Sequence, residues 1–354
     1  MVETLDIKVK KIGESKLQTI DMNDIQFGKN YSDHMFIADY RNGEWHDFRI
    51  VPYGNLSLSP ACTTLHYGQT IFEGLKAYKN VDGEIVVFRP DANARRMNVS
   101  AERMCIPELP EDIFLSGMRE LIKLDSNWVP DRPNTSLYIR PFIFATDPFI
   151  GIRPADNFMF VIITSPVGAY YSKPVKVKVE EHYTRAVAGG TGFAKTAANY
   201  AAALYPAVKA QKDGYDQLIW TDGKEHKQIE ESGTMNIMFV INDTLLTAPI
   251  GDTILDGITR DSVITLAKDA GMKVEIRPIS VDEVIGAIKK GEVQEAFGCG
   301  TAATIAQIKS IGHDGIDYEL PEVSTRKYSN GFLQKLDDIK LGKEPDPHNW
   351  IFKV

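Results

Sequence analysis

The chain has 354 residues, 43% of them hydrophobic and 25% charged, with a formal net charge of −8. That length exceeds what one ordinary core uses, so two domains are expected. The acidic balance argues against a nucleic-acid partner, because binding a phosphate backbone needs a basic face. It leaves room for a small basic pocket that takes an anionic ligand.

Three cysteines, Cys62, Cys105 and Cys299, cannot all pair, and none lies in a Cys-x-x-Cys. A reducing compartment follows, and the protein is expected in the cytoplasm. The first residues hold no apolar signal core, and no run of 18 apolar residues occurs that would span a membrane. No internal repeat or low-complexity segment is found, and no metal site is expected.

Taken in order, residues 1–30 read as an arm wrapped on the first domain. Met35–Ala38 and Trp45–Pro52 read as strands around Asn42-Gly43. Residues 65–74 begin as a short helix that Gly74 ends, and Leu75–Tyr78 pairs with Ile85–Phe88 across Asp82-Gly83. Tyr67 and Phe72 in this stretch would, by residue type, be core aromatics. Pro90-Asp91 opens a helix with Asp91 as N-cap. It carries Arg95-Arg96-Met97, and such a pair of arginines ordinarily faces solvent. Asp112–Leu124 has the spacing of an amphipathic helix. Ser136–Ala145 alternates as a strand, so Tyr138 and Arg140 share one face. An arginine there is either salt-bridged at a sheet edge or aimed at a ligand. Phe158–Val167 is an apolar strand. The Gly/Ser/Pro composition after it divides the chain into a first domain, 1–168, a linker, 169–174, and a second domain, 175–354.

The second domain opens with a strand over Val175–Glu180. Gly189, Gly190 and Gly192 then allow a tight turn and close approach to a ligand. Lys195 follows among small and apolar neighbours. A poorly solvated lysine loses part of its preference for the charged form and becomes a usable amine nucleophile; the alternative is a plain surface lysine. A helix over Ala197–Lys212 contains Pro206, which should kink or divide it. Asp216–Thr221 is a strand. Ile229–Asn236, with Glu231 and Thr234, leads into a hairpin of Asn236–Ile241 and Thr244–Ala248 across Asn242-Asp243. Thr259 is the expected N-cap of a helix over Asp261–Ala270, whose first N–H groups suit an anion. Val281–Lys290 is a helix. Val293–Phe297 is a strand that ends in the small-residue turn Gly298–Ala303, where Cys299 reads as a packed thiol. Tyr328–Leu341 is a C-terminal amphipathic helix. A lysine, a buried acid and an anion site are what pyridoxal phosphate requires for its aldehyde, its ring nitrogen and its phosphate.

Five motifs bear on that chemistry. They are His66-Tyr67-Gly68-x-x-x-Phe72-Glu73-Gly74-Leu75-Lys76-Ala77, Asn93-x-x-Arg96-Met97, Tyr138-x-Arg140-Pro141, Gly189-Gly190-Thr191-Gly192-x-x-Lys195-x-x-x-Asn199-Tyr200, and Glu231-x-Gly233-Thr234-Met235-Asn236. Together and in this order they resemble the branched-chain amino acid aminotransferases, fold-type IV pyridoxal-phosphate enzymes. The resemblance runs from about Phe36 to Leu341. D-amino acid aminotransferases and aminodeoxychorismate lyases of the same fold share the lysine and glutamate but generally lack the Tyr-x-Arg-Pro and Gly-Thr-Met-Asn contexts. A non-catalytic binder on this fold would have little use for the Lys195, Tyr200 and Glu231 set.

The resemblance implies an α/β (α+β) fold of two domains, a small N-terminal one and a larger C-terminal one, with the cofactor between them. It implies that Lys195 forms the Schiff base with pyridoxal 5'-phosphate and carries the α-proton, first as base and then as acid. Glu231 would hold the ring nitrogen protonated, and Tyr200 would bond the ring hydroxyl oxygen. Arg96, Ile258, Thr259 and Thr301 would hold the phosphate. Thr234 would touch cofactor and substrate, and with Ala302 and Ala303 bind the α-carboxylate. Tyr67, Phe72, Ile150, Ile152 and Tyr171 would wall the side-chain pocket, while Arg140 with Tyr138 would receive the distal carboxylate of glutamate. The implied reaction moves the amino group of L-leucine, L-isoleucine or L-valine to 2-oxoglutarate, giving L-glutamate. The Ile150 and Ile152 loop of a partner subunit would close the pocket, so a homodimer is implied. Some animal relatives carry a Cys-x-x-Cys redox pair after the last turn; Ala303 and Ala306 stand there in this chain.

Overall fold

Strands β1 (Lys8–Val9), β2 (His34–Arg41) and β3 (Glu44–Pro52) begin a sheet that the next five extend: β4 (Thr70–Phe72), β5 (Leu75–Lys79), β6 (Ile85–Phe88), β7 (Ser136–Ala145) and β8 (Phe158–Val167). The structure is a computed structural model and describes residues 5–22, 24–168 and 173–354. The chain forms two compact units. One is Met1–Tyr170 with Ala194–Ala197 and Asp338–Val354, and the other is Tyr171–Phe193 with Ala198–Asp337.

In the first unit α1 (Thr63–Tyr67) precedes β4, and helices α2 (Pro90–Arg103) and α3 (Glu111–Leu124) bury Met97, Ala101, Phe114 and Met118 with Phe36, Trp128 and Phe160. Strand β7 shows the two-residue period. Leu137, Ile139 and Ile143 join this core, while Phe142 and Phe144 belong to a separate cluster with Met35 and Val161. Both β4 and β5 pair with β7, and the pairing breaks at Glu73-Gly74. Pro141 lies opposite that break. Its carbonyl accepts from Glu73 N at 2.8 Å, and it has no N–H to give on the same edge.

The second unit holds a sheet of β9 (Val175–Val179), β10 (Gln217–Thr221), β11 (Ile229–Ser232), β12 (Met235–Ile241), β13 (Thr244–Thr247), β14 (Lys273–Ile276), β15 (Val293–Gly300), β16 (Thr304–His313) and β17 (Ile316–Glu319). Its helices are α4 (Ala197–Lys212), which starts at the end of the inserted segment, α5 (Ile258–Asp269), α6 (Val281–Lys289) and α7 (Tyr328–Lys340). Val177, Ile219, Phe239, Ala296 and Ile308 are central to its core. Last, β18 (Ile351–Lys353) pairs antiparallel with β6 in the first sheet.

Several local expectations need correction. Gly68, with φ +64°, ends the helix that Gly74 was expected to end. Gly74 instead makes room for Tyr138, whose ring a Cβ at position 74 would strike. Arg89 in left-handed conformation is the N-cap of α2, with Pro90 next; Asp91 lies in the first turn and bonds Arg95 at 2.6 Å. Helix α4 is not divided at Pro206, which lies inside it. Gly257, not Thr259, caps α5, and a Cβ at that position would strike Asn236 Oδ1. The second unit also ends earlier than the sequence suggests. Residues 194–197 and 338–354 return to the first unit, through pairings with strands far away in sequence.

Candidate active site

Lys195 sits between the glycine-rich loop and α4, and its backbone is held from both sides. Its N–H donates to Ser100 Oγ on α2 at 2.9 Å, and its carbonyl accepts from Phe72 N at 3.0 Å. The next residue, Thr196, bonds Thr70 O at 2.7 Å through its hydroxyl. The lysine Nζ lies 5.1 Å from the centre of the Phe72 ring. A fixed backbone and an aromatic neighbour limit where the amine can go.

Glu73 is fully buried. Arg96 forks onto it, Nε to Oε1 at 2.8 Å and Nη2 to Oε2 at 2.7 Å, and Asn93 Nδ2 adds 2.7 Å to Oε2. Burial alone pushes the carboxyl upward in pKa. The Arg96 charge and hydrogen bonds, with the Lys195 charge, prevail and hold it below the usual carboxylate range. The predicted phosphate arginine is thus oriented by a buried acid.

Tyr138 and Arg140 do share a face of β7. Arg140 Nη2 donates to Tyr138 Oη at 2.8 Å, and the guanidinium lies 4.5 Å from the Phe72 ring centre. Its Nε is buried with no hydrogen-bond partner among the described residues, and no acid pairs with it there. Tyr67, at the end of α1, is exposed, as are Ile150 and Ile152 in the loop after β7. Tyr171 lies outside the described residues.

In the second unit, Asp222 shapes the turn from β10 to β11. It accepts from the N–H groups of Lys224, Glu225, Lys227 and Gln228. Against the upward push of partial burial, those donors lower its pKa to about 2. The turn delivers Glu231 on β11, 3% exposed. Its Oε1 accepts from Leu255 N at 2.8 Å and from Asn236 Nδ2 at 3.4 Å; Arg185 Nε lies 3.3 Å from Oε2. Ile258 and Thr259, both buried, open α5, where the first N–H groups have no carbonyl partner within the helix. Thr301, Ala302 and Ala303 form the half-buried turn from β15 to β16, Thr234 is exposed in the turn from β11 to β12, and Tyr200 lies in the first turn of α4. Cys299 is buried, and burial pushes its thiol up to about 12, as suits packing rather than reaction.

The predicted set therefore divides. Lys195, Arg96, Phe72, Tyr138 and Arg140 belong to the first unit; Tyr200, Thr234, Glu231, Ile258, Thr259 and Thr301 belong to the second. Sequence reasoning missed Ser100, Arg185 and the bond from Leu255 N, which no local pattern signals. Asn236 could have been found, since it closes the Glu231–Asn236 motif. Each unit holds donors of the kind pyridoxal phosphate requires: in the first a primary amine against an aromatic ring, in the second a buried carboxylate suited to a protonated ring nitrogen and a helix start suited to an anion.

Fold and site define an aminotransferase of the pyridoxal-phosphate type. The chain matches the amino-transferase class IV family over residues 70–311. It is 44% identical over 339 residues to branched-chain-amino-acid transaminase 1 of Bacillus subtilis (strain 168), covering 94% of this chain and 95% of that protein. Among solved structures it resembles the branched-chain amino acid aminotransferase of Escherichia coli, with 26% identity and a TM-score of 0.74 over 90% of this chain and 98% of that one. It also resembles the branched-chain aminotransferase of the archaeon Thermoproteus uzoniensis with norvaline, at 26% identity and a TM-score of 0.75 over 90% and 99%. The chain belongs to the class IV aminotransferases and, within them, to the branched-chain amino acid aminotransferase family.

Proposed function

We propose that this enzyme moves the amino group of L-leucine, L-isoleucine or L-valine to 2-oxoglutarate, with Lys195 as the catalytic residue. The observation that carries this reading is Arg140. A cation lies beside Phe72 with its Nε buried and unpartnered among the described residues, on a face otherwise aromatic and apolar. Leucine-like side chains need the apolar wall, and only glutamate needs the cation.

Pyridoxal phosphate, when bound, supplies an aldehyde that accepts the amine and a ring that draws electrons from the substrate's α-carbon. Lys195 would hold the cofactor through its aldehyde carbon, and its amine, once displaced by the substrate's amino group, would take the α-proton and deliver it to that cofactor carbon. Glu231 would keep a proton on the ring nitrogen, and Tyr200 would bond the ring oxygen. Arg96, Thr301 and the start of α5 at Ile258 and Thr259 would hold the phosphate. Thr234, Ala302 and Ala303 take the α-carboxylate. Tyr67 and Phe72 would wall the side-chain pocket, and Ile150 and Ile152, on the loop of a partner subunit, would close it against water.

The working form is a homodimer. Helix α4 is apolar, yet of its residues only Asn199, Pro206 and Ala210 are buried, and Leu204 is 66% exposed. Ile152 is 95% exposed. Apolar surface of this kind is a partner surface. Three free cysteines, two of them buried, suit the reducing cytoplasm. Among the described residues no helix is long and apolar enough to cross a membrane.

An oxo-acid release assay with L-leucine, D-alanine and 4-amino-4-deoxychorismate tests the reading; L-leucine should be the productive substrate. Lys195→Ala should remove turnover, by roughly a thousandfold or more, while the protein stays folded. Release from D-alanine alone, or normal turnover by Lys195→Ala, would overturn it.

A further inference from the structure

We propose that Arg185 is the positioning residue for Glu231, fastening that acid and the glycine-rich loop before Lys195 into one unit. The inference rests on the role proposed for Glu231. Arg185 is largely buried, its side chain 9% exposed. Its Nη2 donates to Gly192 O at 3.2 Å and to Thr253 O. Its Nε faces Glu231 Oε2 at 3.3 Å and makes no hydrogen bond among the described residues.

The surroundings make this contact a junction. Asp252 holds the glycine-rich loop, with Gly189 N on its Oδ2 at 2.9 Å and Phe193 N on its carbonyl at 3.0 Å. Three residues on, Leu255 N holds Glu231. Arg185 spans the same distance by a second route, from Gly192 to Glu231. Two independent routes thus tie the loop to the acid.

Charge gives the arrangement its chemical meaning. Glu230 and Glu231 are adjacent buried acids. Glu230 Oε2 has no partner among the described residues, and burial raises its pKa despite the nearby Arg185 charge. The buried Arg260 guanidinium on α5 and the Cys299 thiol also act on Glu231 by charge. A buried carboxylate that loses one of its neighbouring cations takes up a proton more readily. A protonated Glu231 could no longer hold a protonated ring nitrogen. Arg185 thus works through Glu231 by keeping it charged and aimed.

A double-mutant cycle tests this directly. Arg185→Met and Arg185→Lys are made in the native protein and in Glu231→Gln. The L-leucine half-reaction is then followed in single turnovers across pH, and pyridoxal-phosphate affinity by fluorescence titration of the apoprotein. Arg185→Met should slow the half-reaction by about tenfold to a hundredfold in the native background, and by less than about twofold in Glu231→Gln. Its loss should shrink as pH rises, because alkali re-ionises Glu231. Affinity should weaken only while Glu231 is present. Arg185→Lys, which keeps the charge, should recover part of the loss, and it carries the comparison should Arg185→Met fail to fold. Equal losses in both backgrounds, or a loss independent of pH, would overturn the proposal. If Glu231→Gln by itself reacts at the native rate, what fails is the role given to Glu231; that single variant reports on it separately.

Discussion

Each unit buries a carboxylate beside an arginine, and the two pairs are built differently. Glu73 receives two parallel donors from Arg96 and a third from Asn93. Glu231 receives neutral donors from Leu255 N and Asn236, while Arg185 spends its Nη2 on two carbonyls and offers only a nearby charge. The first acid is fully matched by its arginine and acts as a fastener. The second is held by neutral donors with Arg185 beside it, the arrangement that the role proposed for Glu231 calls for. Burial is nearly the same for both, so it is the donor geometry that distinguishes the two pairs.

The largest test of that contrast is Glu231→Gln. It keeps the side chain's size and removes its charge. The L-leucine half-reaction should slow by roughly a hundredfold to ten-thousandfold, each tenfold being about 1.4 kcal/mol of barrier, with little change in unfolding free energy. Single-turnover absorbance and urea unfolding read the two quantities. Glu73→Gln should show the reverse bias. It leaves Arg96 buried without its counter-charge, and removing one side of such a pair costs about 3–5 kcal/mol of stability. A variant that unfolds at the native urea midpoint would break the comparison.

The Glu73 pair also sets a pH dependence. Its folded pKa lies below the ordinary value of 4.5. Its contribution is therefore complete above that value and is lost as pH falls through the folded one. The stability gap between native protein and Glu73→Gln should narrow between neutral pH and about pH 3. A constant gap would mean that the cost is packing rather than charge.

Arg140→Met comes next in size. The L-glutamate half-reaction should fall by roughly tenfold to a thousandfold, and the L-leucine one by much less, because only glutamate brings a second carboxylate. Equal losses would show Arg140 to be a packing residue, or one that binds the shared α-carboxylate. The smallest effect belongs to Arg277. It bonds Glu283 at 2.6 Å and Glu275 at 3.0 Å, but its side chain is 38% exposed. Arg277→Ala should cost under about 1 kcal/mol in urea unfolding, since solvent screens such pairs. A larger loss would mean that exposure matters less than the contrast above requires.

Local pattern made much of this legible. Ser136–Ala145 and Phe158–Val167 are strands with the expected ends, because alternation and apolar runs are properties of neighbouring residues. Asn242 and Asp243, both at positive φ, turn the hairpin of β12 and β13 where expected. The cap of α5 was misplaced by two positions, since Thr259 lies inside the helix and the capping Gly257 packs against Asn236, some twenty residues away. Gly74 was misread for the same kind of reason, since the ring it accommodates comes from β7.

What the sequence by itself determined is the kind of chemistry: an amine after a glycine-rich loop, an acid before an apolar strand, and an arginine two residues from a tyrosine on one strand face. Those are short-range spacings, and strand and turn geometry turn them into placement directly. Only the tertiary structure decided which arginine serves which acid. The pairing of Arg96 with Glu73, the approach of Arg185 to Glu231, and the return of 194–197 and 338–354 to the first unit all join residues that share no local period. Such contacts are selected by burial, where an unmatched charge is too costly to leave alone, and burial is a property of the folded chain.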